Sequence, residues 1–165
     1  MQQMWTDIDH YIDSHLIPED PNLQFALENT ANQGFPDHLA VAPNQGMLLQ
    51  MLIQMNQCKR VLELGTFAAY STVWLARTLP KDGYLLTIEG RDTHAALAQQ
   101  NIDHAKFEVP VELKVGRAAD ILREIDPTTF EPFDFIFIDA DKQSYPEYLE
   151  LTLNLSHSGT ILVLD

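Results

Sequence analysis

The chain has 165 residues, 45% of them hydrophobic, which suits one globular domain with a sizeable core. Its formal net charge is −14, with only ten Lys and Arg, so it lacks the basic surface that nucleic acid or an anionic membrane requires. The N-terminus does not read as a signal peptide, no apolar run approaches the roughly 18 residues of a membrane span, and the single cysteine, Cys58, excludes an intrachain disulfide. A reducing cytoplasm is the expected compartment.

Trp5, Ile8, Ile12 and Leu16 recur at helical spacing until Pro18 and Pro21 break the pattern. Leu23 to Asn32 reads as a second helix, stopped by Gly34-Phe35-Pro36. Asn44 to Met55 reads as a third. Its stripe of Met47, Leu48, Met51, Leu52 and Met55 is expected to pack against a sheet as core. From Lys59 onward, strand candidates alternate with helix candidates. The strands are Arg60–Leu64, Tyr84–Glu89, Val111–Val115, Phe133–Asp139 and Thr160–Asp165. The helices are Ser71–Leu79, Asp92–Phe107, Ala118–Glu124 and Tyr145–Leu155. The alternation predicts an α/β fold: right-handed βαβ units forming a Rossmann-like, doubly wound parallel sheet. Residues 1–57 are then a helical lid over the open end of the sheet and 58–165 the core of a single domain.

Four acids, Glu63, Glu89, Asp139 and Asp165, close apolar strand-like runs. They predict one acidic rim at the edge where open parallel sheets bind ligands. Glu89 follows Gly65 at the distance of an acid that accepts ribose hydroxyls, but the turn Gly65-Thr66-Phe67-Ala68-Ala69-Tyr70-Ser71 has one glycine only. That disfavours a dinucleotide and leaves an adenosyl group without phosphates. Ser71 reads as a helix N-cap or as a ligand for a carboxylate. Glu63, in a buried strand, requires a partner, either a backbone N–H or the amine of a cationic ligand. Gly116-Arg117-Ala118-Ala119-Asp120 reads as a strand-to-helix turn whose small residues, Ala118 above all, let a flat base lie against the backbone.

Phe137-Ile138-Asp139-Ala140-Asp141-Lys142 carries the other half of the chemistry. If the fourth and fifth strands are neighbours, Asp139 and Asp165 can converge on one hard cation such as Mg²⁺; otherwise each caps a turn. Lys142 beside such a cation can act as general base, or pair with Asp141 on the surface. The six histidines (His10, His15, His38, His94, His104, His157) show no zinc-like spacing and are expected to be mostly exposed.

Together these segments resemble the cation-dependent class I O-methyltransferases, the caffeoyl-CoA and catechol O-methyltransferase-like family, in its bacterial branch. The likeness is carried by the Trp5 to Ile12 opening, Val41-Ala42-Pro43-Asn44-Gln45-Gly46, Leu62-Glu63-Leu64-Gly65-Thr66 with Tyr70-Ser71, Glu89, Gly116 with Ala118, and Phe137 to Lys142 with Tyr145-Pro146. The resemblance implies strand order 3-2-1-4-5. It implies S-adenosylmethionine (SAM) contacting Val41, Glu63, Gly65, Thr66, Tyr70, Ser71, Glu89, Ala118 and Asp139. It implies a divalent metal on Asp139 and Asp165, Lys142 as base with Asp139 beside it, a hydroxylated aromatic small molecule as methyl acceptor, and a homodimer.

Two departures stand out. Ala69 occupies a position where the family usually has glycine. The family also continues past Asp165 with an asparagine that is the third protein ligand of the metal and with two more strands, so the chain reads as C-terminally truncated. The competing expectations are a SAM-binding module that self-associates without catalysis, a nicotinamide-dependent oxidoreductase, and a metal-independent methyltransferase.

Overall fold

A computed structural model describes residues 2–36 and 39–165; His38 lies outside them. Three helices come first: α1 (Gln2–Leu16), α2 (Pro21–Asn32) and α3 (Pro43–Met55). There follow β1 (Arg60–Leu64), α4 (Tyr70–Ala76), β2 (Tyr84–Glu89), α5 (Asp92–Ala105), β3 (Val111–Val115), α6 (Ala118–Glu124), β4 (Phe133–Ile138), α7 (Tyr145–Leu153) and β5 (Ser156–Leu164). The five strands form one sheet in the order β3-β2-β1-β4-β5, and every neighbouring pair is parallel. This is the expected α/β architecture.

Strand alternation sorts the core into two layers. Val61, Leu85, Phe135 and Phe137 point to one face and pack with Tyr70, Val73 and Trp74 of α4. Leu62, Leu64, Leu86, Ile88, Ile136 and Ile138 point to the other and pack with α6 and Tyr148 of α7. Glu63 and Thr87 share the α4 face by the same periodicity. The ladder runs one residue past the strands. The N–H of Gly65 donates to Ile88 (2.9 Å), that of Gly116 to Glu89 (2.9 Å), that of Asp139 to Leu64 (2.8 Å) and that of Asp165 to Ile138 (3.1 Å). These bonds set the residues of the lip in fixed register.

The N-terminal helices form a third layer, with α2 against α4 and α5, α3 against α4, and α1 against α3. Of residues 1–57, the connector Leu39–Val41 lines the cleft at the strand ends, and Gln45 of α3 reaches Asp165 beside it. Asp20 caps α2 by accepting from the N–H groups of Asn22 and Leu23 and pairs with Arg77 at 2.9 Å, which ties α2 to the end of α4.

The methionine stripe of α3 departs from expectation. Its buried residues are Gly46, Leu49 and Ile53. Met47 and Leu52 only flank the core, and Leu48, Met51 and Met55 are exposed. Gly46 decides which face turns inward, because the Trp74 indole occupies the space its Cβ would need. No helix among the described residues is long and apolar enough to cross a membrane.

Candidate active site

A cleft of about 590 Å³ opens at the carboxyl ends of the strands. Of the expected cofactor residues, Val41, Gly65, Thr66, Tyr70, Ser71, Glu89, Ala118 and Asp139 all line it. Gly65 has φ 95°, which lets the chain leave β1 and turn sharply towards α4. Glu89 is buried and grips the turn: it accepts the N–H of Phe67 at 2.8 Å and that of Arg91 at 2.9 Å.

Glu63 is placed differently. It lies within β1, has no exposed surface and stands behind the cleft lining; of the four expected rim acids, Glu89 and Asp139 line the cleft and Asp165 stands beside Asp139. Its carboxylate is held by three hydroxyls rather than a backbone N–H: Ser71 (2.6 Å), Thr72 (2.6 Å) and Thr87 (2.7 Å). Thr66 extends this network to Thr87 at 2.5 Å. Burial raises Glu63 to about 7, against the pull of the three hydroxyls and with a smaller push from Asp139. Ser71 is therefore not the N-cap of α4. That place is taken by Ala69, at φ 60°, and the Ser71 hydroxyl is committed to Glu63.

At the far side of the cleft, Ile138 pairs with Leu164, which sets Asp139 and Asp165 side by side. Lys142 lies on a 3₁₀ turn (Lys142–Ser144) and donates to Asp139 at 3.1 Å, to the Tyr145 hydroxyl at 2.8 Å and to the carbonyl of Asp165. Gln45 of α3 donates to the Asp165 carboxylate at 2.9 Å. Burial lifts Asp139 above the usual carboxylate range against the pull of Lys142, with Asp165 adding to the rise. Burial lowers the Lys142 ammonium, but its bonds to Tyr145 and Asp139 outweigh that and hold it above its ordinary value. Asp141 does not pair with Lys142. It caps the 3₁₀ turn through the N–H of Ser144 (3.0 Å) and accepts the Tyr148 hydroxyl at 2.6 Å. No group of three or more His, Cys, Asp or Glu that could hold a metal occurs among the described residues.

The structure thus brings the cofactor-turn residues and the Asp139, Lys142 and Asp165 group to one end of the sheet. An O-methyltransferase family model matches residues 14–165. The chain belongs to the O-methyltransferase family. A catechol O-methyltransferase of Niastella koreensis is 48% identical over 163 residues, covering 99% of this chain and 73% of that protein. A catechol O-methyltransferase of Mycobacterium tuberculosis is 38% identical, covering 96% and 70%. The O-methyltransferase of Bacillus cereus, solved in complex with SAH, superposes with a TM-score of 0.94 at 44% identity, over 100% of this chain and 74% of that one. TomG of Streptomyces achromogenes, an O-methyltransferase solved in complex with SAM, gives 0.92 at 43%, over 99% and 73%.

Sequence reasoning missed several residues at this O-methyltransferase cleft. His94 is the exception among the described histidines, the rest of which are exposed as expected. It is half-buried in the lining, 3.5 Å from Glu89 and edge-on to Phe35 and Phe67. Arg91 and Arg117 also line the cleft. The spacing of His94 from Glu89, in the first turn of the following helix, was the available signal. Thr72 and Thr87 gave none, since strand and helix threonines look alike whether or not they face a carboxylate.

Proposed function

We propose that the chain is a SAM-dependent, divalent-metal-assisted O-methyltransferase acting on a catechol-like or other vicinal-hydroxyl small molecule. The observation that carries this reading is the double position of Asp139. It lines the cleft that also contains Glu89, and it bonds Lys142 beside Asp165. A donor in the cleft and an acceptor at Lys142 would therefore meet across one carboxylate. The acidic lip favours a cationic sulfonium, and relatives solved with SAM or SAH support the choice of donor.

The donor set at Asp139 and Asp165 fits a hard cation: two carboxylates on paired strands, with Gln45 steadying one of them. A divalent cation held there would grip adjacent hydroxyls and lower the pKa of both the hydroxyl and Lys142. Lys142 would take the hydroxyl proton, and Val41, Gly65, Thr66, Tyr70, Ser71, Glu89 and Ala118 would hold the donor with its methyl in line for attack. Residues 58–165 supply most of this machinery, and 1–57 supply the Leu39–Val41 wall and Gln45. A homodimer in the cytoplasm completes the reading. The exposed Leu48, Met51 and Met55 lie on a helix with no charged residue, on a chain of net charge −14, so this is a face where like-charged copies can meet.

The test is methyl transfer to catechol with Mg²⁺ and with EDTA, alongside SAH binding by calorimetry. Binding with Mg²⁺-dependent turnover is expected, and Lys142→Ala is expected to lower kcat at least tenfold. Equal rates with EDTA would reject the metal. Binding without turnover favours the second reading, a SAM-binding module without catalysis.

A further inference from the structure

We propose that Asn101 of α5 is a positioning residue that couples the docking of α2 to the shape of the cofactor turn, Gly65–Ala69, through a ladder of side-chain amides. The proposal rests on the reading that this cleft binds the methyl donor.

Asn101 is 1% exposed and bonded on both sides. Its Nδ2 donates to the carbonyl of Ala68 at 2.8 Å, and its Oδ1 accepts from Asn29 Nδ2 at 2.8 Å. Chemistry fixes this orientation, because a backbone carbonyl can only accept. The ladder continues on the outside. Gln33 donates to Asn29 (3.2 Å) and to Gln100 (2.7 Å), and Asn29 reaches Gln100 at 3.3 Å. Four amides thus join α2 and the residue after it to α5, and the innermost holds the turn.

The turn needs such a hold. Phe67 (φ 48°) and Ala69 (φ 60°) flank Ala68 in left-handed conformations that side-chain-bearing residues rarely adopt. Glu89 secures Phe67 from the cleft side through its N–H. On the opposite side Ala69 packs against Ala98 and Ile102 of α5, and Asn101 takes the carbonyl between them. Breaking the Asn101 bond leaves a buried carbonyl unpaired and frees the turn that aims the Phe67 N–H at Glu89. No residue of α2 lines the cleft; its side-chain tie to the turn itself runs through Asn29 and Asn101. Coupling is reciprocal, so a ligand that orders the turn must strengthen the docking of α2.

The test is hydrogen exchange of residues 21–33 with and without SAH, with SAH affinity by calorimetry, on the full chain. In the wild type, SAH is expected to slow exchange in α2 more than in α1, which has no tie to the turn. Asn29→Ala sits at a half-buried helical position that accepts alanine. It should keep the melting temperature within a few degrees, weaken SAH about threefold and abolish the extra protection of α2. Asn101→Asp removes the donor to Ala68 and should weaken SAH about tenfold, the scale of one buried hydrogen bond. A purely structural asparagine would lower the melting temperature and leave the ligand dependence of α2 exchange intact. Unchanged SAH affinity in both variants, or equal protection of α1 and α2 in the wild type, overturns the coupling alone. Failure of the wild type to bind SAH overturns it together with the donor reading.

Discussion

Gly65 and the carbonyl of Asp139 leave no room between them: a Cβ on the glycine would overlap the carbonyl oxygen. That contact brings the cofactor turn against the strand end that carries the proposed metal ligand. Gly65→Ala meets backbone on one side and adds left-handed strain at φ 95°. It should cost more than about 2 kcal/mol and eliminate SAH binding. Urea unfolding and calorimetry would check this, and a variant with a wild-type midpoint would contradict the packing.

Ala69→Gly should be close to neutral. Relief of a left-handed alanine returns roughly 1–2 kcal/mol. Against it stand the loss of a fully buried methyl group, about 0.8 kcal/mol, and the greater freedom of glycine in the unfolded chain, about 0.5–1 kcal/mol. The stability should stay within about 1 kcal/mol of wild type by chemical denaturation. A larger gain would mean that Ala98 and Ile102 contribute little at this contact.

Glu63 gives the stability a pH dependence. Its folded value, about 7, lies above the ordinary 4.5, so the folded chain binds the proton more tightly than the unfolded one. This contribution is most favourable below about pH 4.5 and is lost as the pH rises through 7. Between pH 5 and 8 the loss is of order 2 kcal/mol. Glu63→Gln should flatten that slope while Ser71, Thr72 and Thr87 keep a polar partner. Denaturant midpoints against pH for both proteins decide it; parallel slopes would show that other groups carry the dependence.

Cys58 should be inert in the folded protein. It is 3% exposed, and burial, with Asp134 nearby, pushes its thiol up to about 11. Ellman's reagent should label it only after denaturation. Rapid labelling under native conditions would show that the start of β1 opens locally.

Three strands were legible to the residue, because Arg60–Leu64, Tyr84–Glu89 and Val111–Val115 are bounded by a glycine, an acid or a proline. The last strand begins at Ser156, four residues before the expected Thr160. His157-Ser158-Gly159 carries no apolar signal, and a register irregularity lies between Phe133 and Phe135 on its neighbour. The positions of Glu89 and Asp139 on one cleft followed from strand order alone. The partners of Glu63 did not, since Thr87 comes from a neighbouring strand and Ser71 and Thr72 from the covering helix. The exposed face of α3 was illegible for a similar reason. Gly46 and Trp74, distant in sequence, choose which side turns inward.

The position of β1 also bears on how the chain matures. Val61 pairs on one side with Leu85 and on the other with Phe135. A ribosome-bound chain must therefore carry its central strand half-matched until the segment around Phe135 has been synthesised and has left the exit tunnel. The growing polypeptide is exposed to mispairing over that interval, so the pairing that completes the sheet's centre is also among its later steps.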